Sequence, residues 1–201
     1  KKEKVMHTGR RILLMLALLL SAHCVWAGES TYRSWTMPRQ GKGGGYSHAR
    51  ISGDGNSMVA ASSGHDQEVY FFIKHSDKPR WIYKDGTKVN LCLAISDDGE
   101  YAAGSGSEIK LFHRSKPEPV WSYKPESPSH FYSVDLTPEG QLLAACGMRI
   151  CDNAGVVLLF GIKEGKPVKS WAVDGIPRHV AISGDGRYIA AGTDKGVVYI
   201  D

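Results

Sequence analysis

Alternation of apolar and polar residues, and not helical periodicity, dominates the chain beyond residue 45. Val180 and Ile182 alternate with their neighbours as in a strand that buries one face. Largely apolar runs of β-type residues recur at 69–73, 109–112, 156–160 and 197–200. No stretch after the N-terminal leader keeps a helical period, so the pattern predicts an all-β chain.

This pattern of strands and turns repeats four times. Each copy has an apolar strand, a short turn that ends in glycine, a second strand with an Ala-Ala pair, and an apolar run. The turn glycines are Gly55, Gly99, Gly140 and Gly186, which are 44, 41 and 46 residues apart. The tryptophans that we assign to one shared position on an outer, fourth strand are Trp35, Trp81, Trp121 and Trp171. Four-stranded repeats of about 40–45 residues are typical of β-propeller blades.

The turn of the repeat has the sequence Ser-x-Asp-Gly, as at Ser183-Gly184-Asp185-Gly186. Glycine adopts a positive φ without strain, and Ser and Asp side chains bond the backbone of tight turns. We therefore expect these residues to build a tight turn between the first and second strands of each repeat.

The repeats resemble a known family. The segments VAISGDGRYIAAG (180–192) and PVWSYK (119–124) are similar to the WD40 and WD40-like repeats of exported prokaryotic proteins, and the resemblance spans about residues 33–201. It implies a β-propeller of four-stranded antiparallel blades. The Trp-Asp dipeptide that ends the third strand in ordinary WD40 repeats is absent, which implies that their structural hydrogen-bond tetrad is missing or altered. The residues near its place are Phe72, Phe112, Phe160 and Tyr199.

The strand count leaves two architectures open. The pattern begins with a lone strand at Trp35 and ends at Asp201, after the third strand of the fourth repeat. The Trp35 strand could complete the last blade and close a four-bladed ring. WD40-like rings usually have six to eight blades, so we expect the four repeats to be part of a larger ring.

The first 27 residues predict a secretory signal peptide. Arg10-Arg11 precedes nine apolar residues, Ile12 to Leu20, and a segment ending at Ala27 suits cleavage. A retained membrane anchor is the alternative. Residues 28–45 then form a flexible lead-in segment with the first outer strand, and 46–201 the propeller repeats. We expect an exported protein, periplasmic, cell-surface or secreted, that meets a membrane only through the N-terminal segment if it is uncleaved.

The net charge of +4 lies entirely in this leader, which holds five basic residues and one acidic residue. The remaining chain has 20 basic and 20 acidic side chains. A neutral body lacks the phosphate-neutralising patch that sequence-independent nucleic-acid binding needs, so we expect no nucleic-acid partner.

The cysteines suggest one disulfide. Cys146 and Cys151 are spaced to close a hairpin-like loop, and disulfides persist in oxidising compartments. Two free, partly buried thiols are the alternative. Cys92 is left over, and we expect it to be a small core residue.

Metal-binding and catalytic candidates are few. His48, Cys92, Ser133 and His179 share the position four before the turn Ser or Thr, on the innermost strand. His48, His179 and Cys92 are weak candidates for a metal site around a central channel, and half-buried strand residues without a ligand are the simpler interpretation. Arg50 and Asp135 lie two residues after His48 and Ser133, respectively, and so share a position in the repeat. They either pair across the ring or contact water. We predict no catalytic residues and no cofactor.

Two classes of function fit these observations. The first is a non-catalytic propeller that binds one or more protein partners, as a scaffold or an accessory subunit of an extracytoplasmic assembly. The alternative is a ligand-binding propeller or a quinoprotein-like dehydrogenase, because the outer strands are also similar to pyrroloquinoline-quinone dehydrogenase repeats. That resemblance implies a vicinal cysteine pair in the cofactor site, and Cys146 and Cys151 are not adjacent.

Overall fold

The structure is a computed structural model, and it describes residues 45–62, 67–84, 92–127 and 129–201. The predicted leader, Trp35 and residues 28–44 lie outside the described residues. Every regular element within the described ranges is a β-strand, and no helix long and apolar enough to cross a membrane is found in them. The all-β prediction is therefore confirmed for this part of the chain.

The described strands form four antiparallel sheets, in each of which neighbours in sequence are neighbours in space. Sheet 1 contains β1 (Tyr46–Ile51), β2 (Ser57–Ser62), β3 (Glu68–Ile73) and β4 (Trp81–Lys84). Sheet 2 contains β5 (Cys92–Ile95), β6 (Tyr101–Ser105), β7 (Ile109–His113) and β8 (Trp121–Tyr123). Sheet 3 contains β9 (Ser129–Leu136), β10 (Leu142–Arg149), β11 (Gly155–Gly161) and β12 (Pro167–Val173). Sheet 4 contains β13 (Pro177–Ile182), β14 (Ile189–Thr193) and β15 (Gly196–Ile200).

The first strands of successive sheets lie next to one another. β5 contacts both β1 and β9, and β13 contacts β9. The arrangement is propeller-like, with the first strands innermost and the fourth strands outermost. Within the described residues sheet 4 has three strands and does not pair with sheet 1, so the ring of sheets is not closed.

Apolar side chains on both faces of the sheets form the core between them. Because alternate residues of the third strands face opposite neighbours, these strands are mostly apolar along their whole length. The layer between sheets 1 and 2 includes Val69, Phe71, Trp81, Leu93 and Phe112. The layer between sheets 2 and 3 includes Ile109, Leu111, Phe131, Leu143 and Phe160. The layer between sheets 3 and 4 includes Cys146, Val157, Val180 and Ile189. Complete burial of one such large side chain contributes about 1.5–3 kcal/mol.

The turn between the first and second strands has the predicted chemistry. In sheet 4 the N–H groups of Gly186 and Tyr188 donate to the carbonyl (2.8 Å) and the hydroxyl (3.0 Å) of Ser183. The Ser183 hydroxyl donates to Asp185 (2.6 Å), which also accepts from the Arg187 N–H (3.1 Å). All four turn glycines have positive φ, namely 67° at Gly55, 66° at Gly99, 63° at Gly140 and 72° at Gly186. The prediction of a tight turn is confirmed.

Hydrogen bonds between turns join the first three sheets. The Asp54 N–H donates to the Asp97 carbonyl (2.9 Å), and the Asp97 N–H donates to the Pro138 carbonyl (2.8 Å). Pro138 has no N–H with which to continue this series. Instead, the Asp135 carboxylate of sheet 3 accepts from the Ile182 N–H of sheet 4 at 2.9 Å. Polar groups therefore join each sheet to the next at this end.

Two outer-strand tryptophans join neighbouring sheets near the periphery. The Trp81 indole donates to the Arg114 carbonyl of sheet 2 (3.1 Å), and the Trp121 indole donates to the Ile162 carbonyl of sheet 3 (2.8 Å). The ring of Trp121 also stacks on Phe160, with 5.4 Å between ring centroids. These side chains pack on the outer strand as predicted.

Trp171 does not occupy the same structural position, contrary to the prediction. Trp121 lies opposite Leu111, whereas Trp171 lies opposite Val157, two residues farther along, and Lys169 takes the equivalent place. A bulge at Leu159/Phe160 shifts the register of β12. Up to that bulge the register is the same as in sheet 2, because Leu159 lies opposite Lys169 as Leu111 lies opposite Trp121. The tryptophan itself therefore lies two residues farther along the outer strand of sheet 3.

Substitution of two turn glycines should separate backbone strain from packing between sheets. Gly55→Ala should cost about 1–2 kcal/mol of unfolding free energy, because its positive φ is strained for alanine but a Cβ there has open space. Gly99→Ala should cost roughly 1–3 kcal/mol more, because its Cβ would lie 2.5 Å from the Ser57 hydroxyl. Urea denaturation measures both, and equal losses would contradict the packing between turns.

Tryptophan substitutions should show whether the indole hydrogen bond stabilises the junction of two sheets. Trp121→Phe should lower the unfolding free energy by about 1–3 kcal/mol, because the Ile162 carbonyl loses its donor. Trp171→Phe is the matched control, since Trp171 is also half-buried and has no indole hydrogen bond within the described residues. Urea denaturation should show the smaller loss for Trp171→Phe, and the reverse order would refute this role.

Candidate functional site

The four residues that the sequence places in one row do share a register position. They lie on the first strands opposite Ala61, Ser105, Cys146 and Gly192, in the order His48, Cys92, Ser133 and His179. Cys92 and Ser133 are buried, with 4.0 Å between the Cys92 Sγ and the Ser133 Oγ. His179 is exposed. Across the described ranges, no three His, Cys, Asp or Glu side chains lie close enough together to hold a metal ion.

His48 is the one histidine of this row with a buried ring atom. Its Nδ1 has no hydrogen-bond partner within the described residues. Burial, with a smaller contribution from the Arg50 cation, holds the pKa of His48 below its usual range. The imidazole is therefore neutral at pH 7, which suits a half-buried strand position.

Asp135 has a structural role and does not form an ion pair with Arg50 among the described residues. Its carboxylate accepts hydrogen bonds from the N–H groups of Leu136 (3.0 Å) and Ile182 (2.9 Å). Burial raises the pKa of Asp135, and these N–H donors and the more distant Arg50 partly oppose that effect. The Arg50 guanidinium donates to the neighbouring Ala49 carbonyl (3.2 Å).

The cysteines differ from the prediction. Cys146 and Cys151 are not bonded to each other, so the predicted disulfide is not present in this structure. The hairpin-like loop does not start after Cys146, because β10 continues to Arg149 and keeps Cys146 in the core, whereas Cys151 lies exposed in the following turn. Burial raises the pKa of Cys146 to about 12, and its thiol donates to the Pro177 carbonyl (3.7 Å). Cys92 is a buried core residue, as predicted.

A cleft lies between sheets 2 and 3, and sequence reasoning missed it. β8 has 3 residues and the facing β12 has 7, so part of sheet 3 extends beyond the outer strand of sheet 2. The space has a volume of about 720 Å³. Its floor is apolar and consists of Phe131, Val156 and Leu158. We call it the sheet 2–3 cleft.

Charged side chains surround the sheet 2–3 cleft. Lys124 and Glu126 follow β8, Lys166 precedes β12, and Arg149 ends β10. Arg149 pairs with Asp152 at 2.8 Å, and Lys124 and Lys166 are exposed. Burial, reinforced by the nearby Glu126, raises the pKa of Tyr123 in the wall, so its hydroxyl remains protonated and able to donate. One sequence signal could have indicated that the two sheets differ in strand length. Trp121 and Trp171 are 50 residues apart, whereas Trp81 and Trp121 are 40 apart.

Comparison with known proteins adds no identity. No protein-family model matches the chain, and no curated protein matches it significantly. The resemblance to WD40-like repeats therefore stays a prediction that rests on the repeat itself.

Thiol reactivity should distinguish the three cysteines of the described region. In the native protein a thiol-specific reagent should label Cys151 at once and leave Cys92 and Cys146 unlabelled, because both are buried and the high pKa of Cys146 keeps it in the unreactive thiol form at pH 8. Unfolding in guanidinium should make all three reactive. Peptide mass mapping assigns the labels, and a Cys146–Cys151 peptide pair recovered after non-reducing digestion would contradict the structure.

Proposed function

We propose that the protein is an exported, non-catalytic WD40-like β-propeller that binds protein partners, as a scaffold or an accessory subunit of an extracytoplasmic assembly. The observation that carries this proposal is the use of the repeat's polar side chains to join its sheets. In such a molecule function lies in the surfaces that the joined blades present.

Named contacts support this interpretation. The Ser183–Asp185 pair closes a turn, the Trp121 indole bonds the neighbouring sheet, and Asp135 accepts from a backbone N–H of sheet 4. Cys146 is held in its thiol form in the core. Each of these groups stabilises the arrangement of sheets, and a rigid arrangement of this kind suits binding with little reorganisation.

Exposed apolar side chains also favour a binding role. Ile51 on innermost strand β1 is 65% exposed, and Val168 on outer strand β12 is 54% exposed. Single exposed apolar residues are ordinary, but these lie on rigid strands beside polar neighbours, as residues of transient interfaces do. The outer edge around Val168 therefore suits a protein partner, whereas Ile51 lies on sheet 1, at the open end of the ring.

Crosslinking in the native host tests this proposal. The tagged full chain, crosslinked in intact cells and purified from an extracytoplasmic fraction, should carry the same protein partner in a constant ratio across preparations. A tagged exported protein of similar size serves as the control. Recovery of the chain alone, or only from the cytoplasm, would refute the proposal. An absorption band of a bound quinone or metal would favour the dehydrogenase alternative instead.

A further inference from the structure

We infer that the sheet 2–3 cleft binds an acidic segment of a partner protein, with one apolar side chain of that segment seated on the cleft floor. The inference rests on the proposed function in that a partner protein supplies the segment. It adds the place of binding and the chemistry that is recognised there.

The unequal lengths of the facing strands create the site. The third and fourth strands of sheet 2 have 5 and 3 residues, whereas those of sheet 3 both have 7. Sheet 3 therefore extends beyond sheet 2 at this edge, while Phe131, Val156 and Leu158 remain buried beneath the space. The resulting space of about 720 Å³ lies within the range of 300–1,000 Å³ that is usual for ligand sites. The base of the site belongs to β9 and β11, and its rim to the turns after β8 and before β12.

The floor of the cleft selects an apolar side chain. Val156 and Leu158 on β11 and Phe131 on β9 form this floor. The walls carry the hydroxyl groups of Tyr123 and Ser170, which can bond the peptide groups of a bound segment. An apolar anchor surrounded by polar contacts is the usual composition of a short peptide site.

The rim selects negative charge. Lys124 and Lys166 stand on opposite sides of the cleft, one after β8 and the other before β12, and neither forms an ion pair within the described residues. Arg149 adds a third cation that Asp152 partly neutralises, and Glu126 is the one acidic residue of the rim. Because the chain beyond the leader is neutral overall, this excess of cations is local. Charge complementarity therefore favours an acidic segment.

Peptides of defined charge provide the test. The ¹⁵N-labelled protein, with or without its leader, is titrated with the acetylated peptide Glu-Glu-Phe-Glu-Glu. Binding is measured by two-dimensional NMR. We expect shifts concentrated at residues 122–127 and 165–170, and weaker binding as salt rises from about 0.05 to 0.5 M. Lys-Lys-Phe-Lys-Lys should not bind, and Glu-Glu-Gly-Glu-Glu should bind about tenfold more weakly because it lacks the anchor. Equal binding of the acidic and basic peptides would overturn the inference.

Variants of the protein localise the effect. The double substitution Lys124→Glu and Lys166→Glu should weaken binding of Glu-Glu-Phe-Glu-Glu by about tenfold or more. Lys163→Glu is the matched control, because Lys163 lies in the same turn between β11 and β12 but does not line the cleft. Ser170→Trp, on an exposed strand face, should fill the cleft and abolish binding. Melting curves show that each variant is folded, and unchanged affinity in the folded double variant or in folded Ser170→Trp would overturn the inference.

The same variants distinguish failure of this inference from failure of the proposed function. If the crosslinked partner is retained by the folded Lys124→Glu/Lys166→Glu protein, the chain is a scaffold but the cleft is not its binding site. If Glu-Glu-Phe-Glu-Glu binds the cleft but no partner is recovered from cells, the site stands and the scaffold proposal fails.

Discussion

The tight turn between the first and second strands is the constraint on which the arrangement of sheets depends. A turn that lies against a neighbouring sheet must satisfy its own polar groups, because buried N–H and C=O groups without partners cost about 1–3 kcal/mol each. In sheet 2, Ser96 and Asp98 bond within the turn at 2.6 Å, and Gly99 supplies the positive φ. The turn can then offer its remaining backbone groups to the adjacent turns. The hydrogen bonds within each turn are therefore a condition for the packing of that turn against the neighbouring sheet.

Sheet 3 shows how this requirement is met when the repeat sequence changes. Its turn contains Pro138, which cannot donate a hydrogen bond to the next turn as Asp97, at the same turn position, does. Asp135, on the preceding strand, supplies an acceptor for Ile182 instead. Its carboxylate is partly buried, and burial raises its pKa, so the substitute bond requires desolvation of a charged acceptor in place of a neutral carbonyl. The polar residue on the inner strand thus has a structural origin, although its position had also suggested a channel site.

The sequence predicts those features that each repeat determines within itself. The strands within the described residues, the turn glycines and the burial of Cys92 agree with this pattern, and the predicted strand at Trp35 lies outside the described residues. The features that depend on how two sheets meet were not predicted correctly. Trp171 lies two residues beyond the place that Trp121 occupies in sheet 2, and the core position of Cys146 needs β10 to continue to Arg149. Strand ends and bulges are set by tertiary packing, which a repeat spacing does not encode.

The sheet 2–3 cleft arises, like the positions of Trp171 and Cys146, where sheet 3 departs from the regular repeat. A repeat in which every sheet had the same strand lengths would cover each face completely and leave no space between neighbours. The outer strands of sheet 3 are longer than those of sheet 2, and Val156 and Leu158, which are 8% and 4% exposed, lie at the base of the cleft between them. Lysines in the adjoining turns then determine what can bind there. The regular positions of this repeat protein stabilise its architecture. A binding site is therefore expected where a sheet departs from the repeat and apolar side chains lie beside unpaired charges.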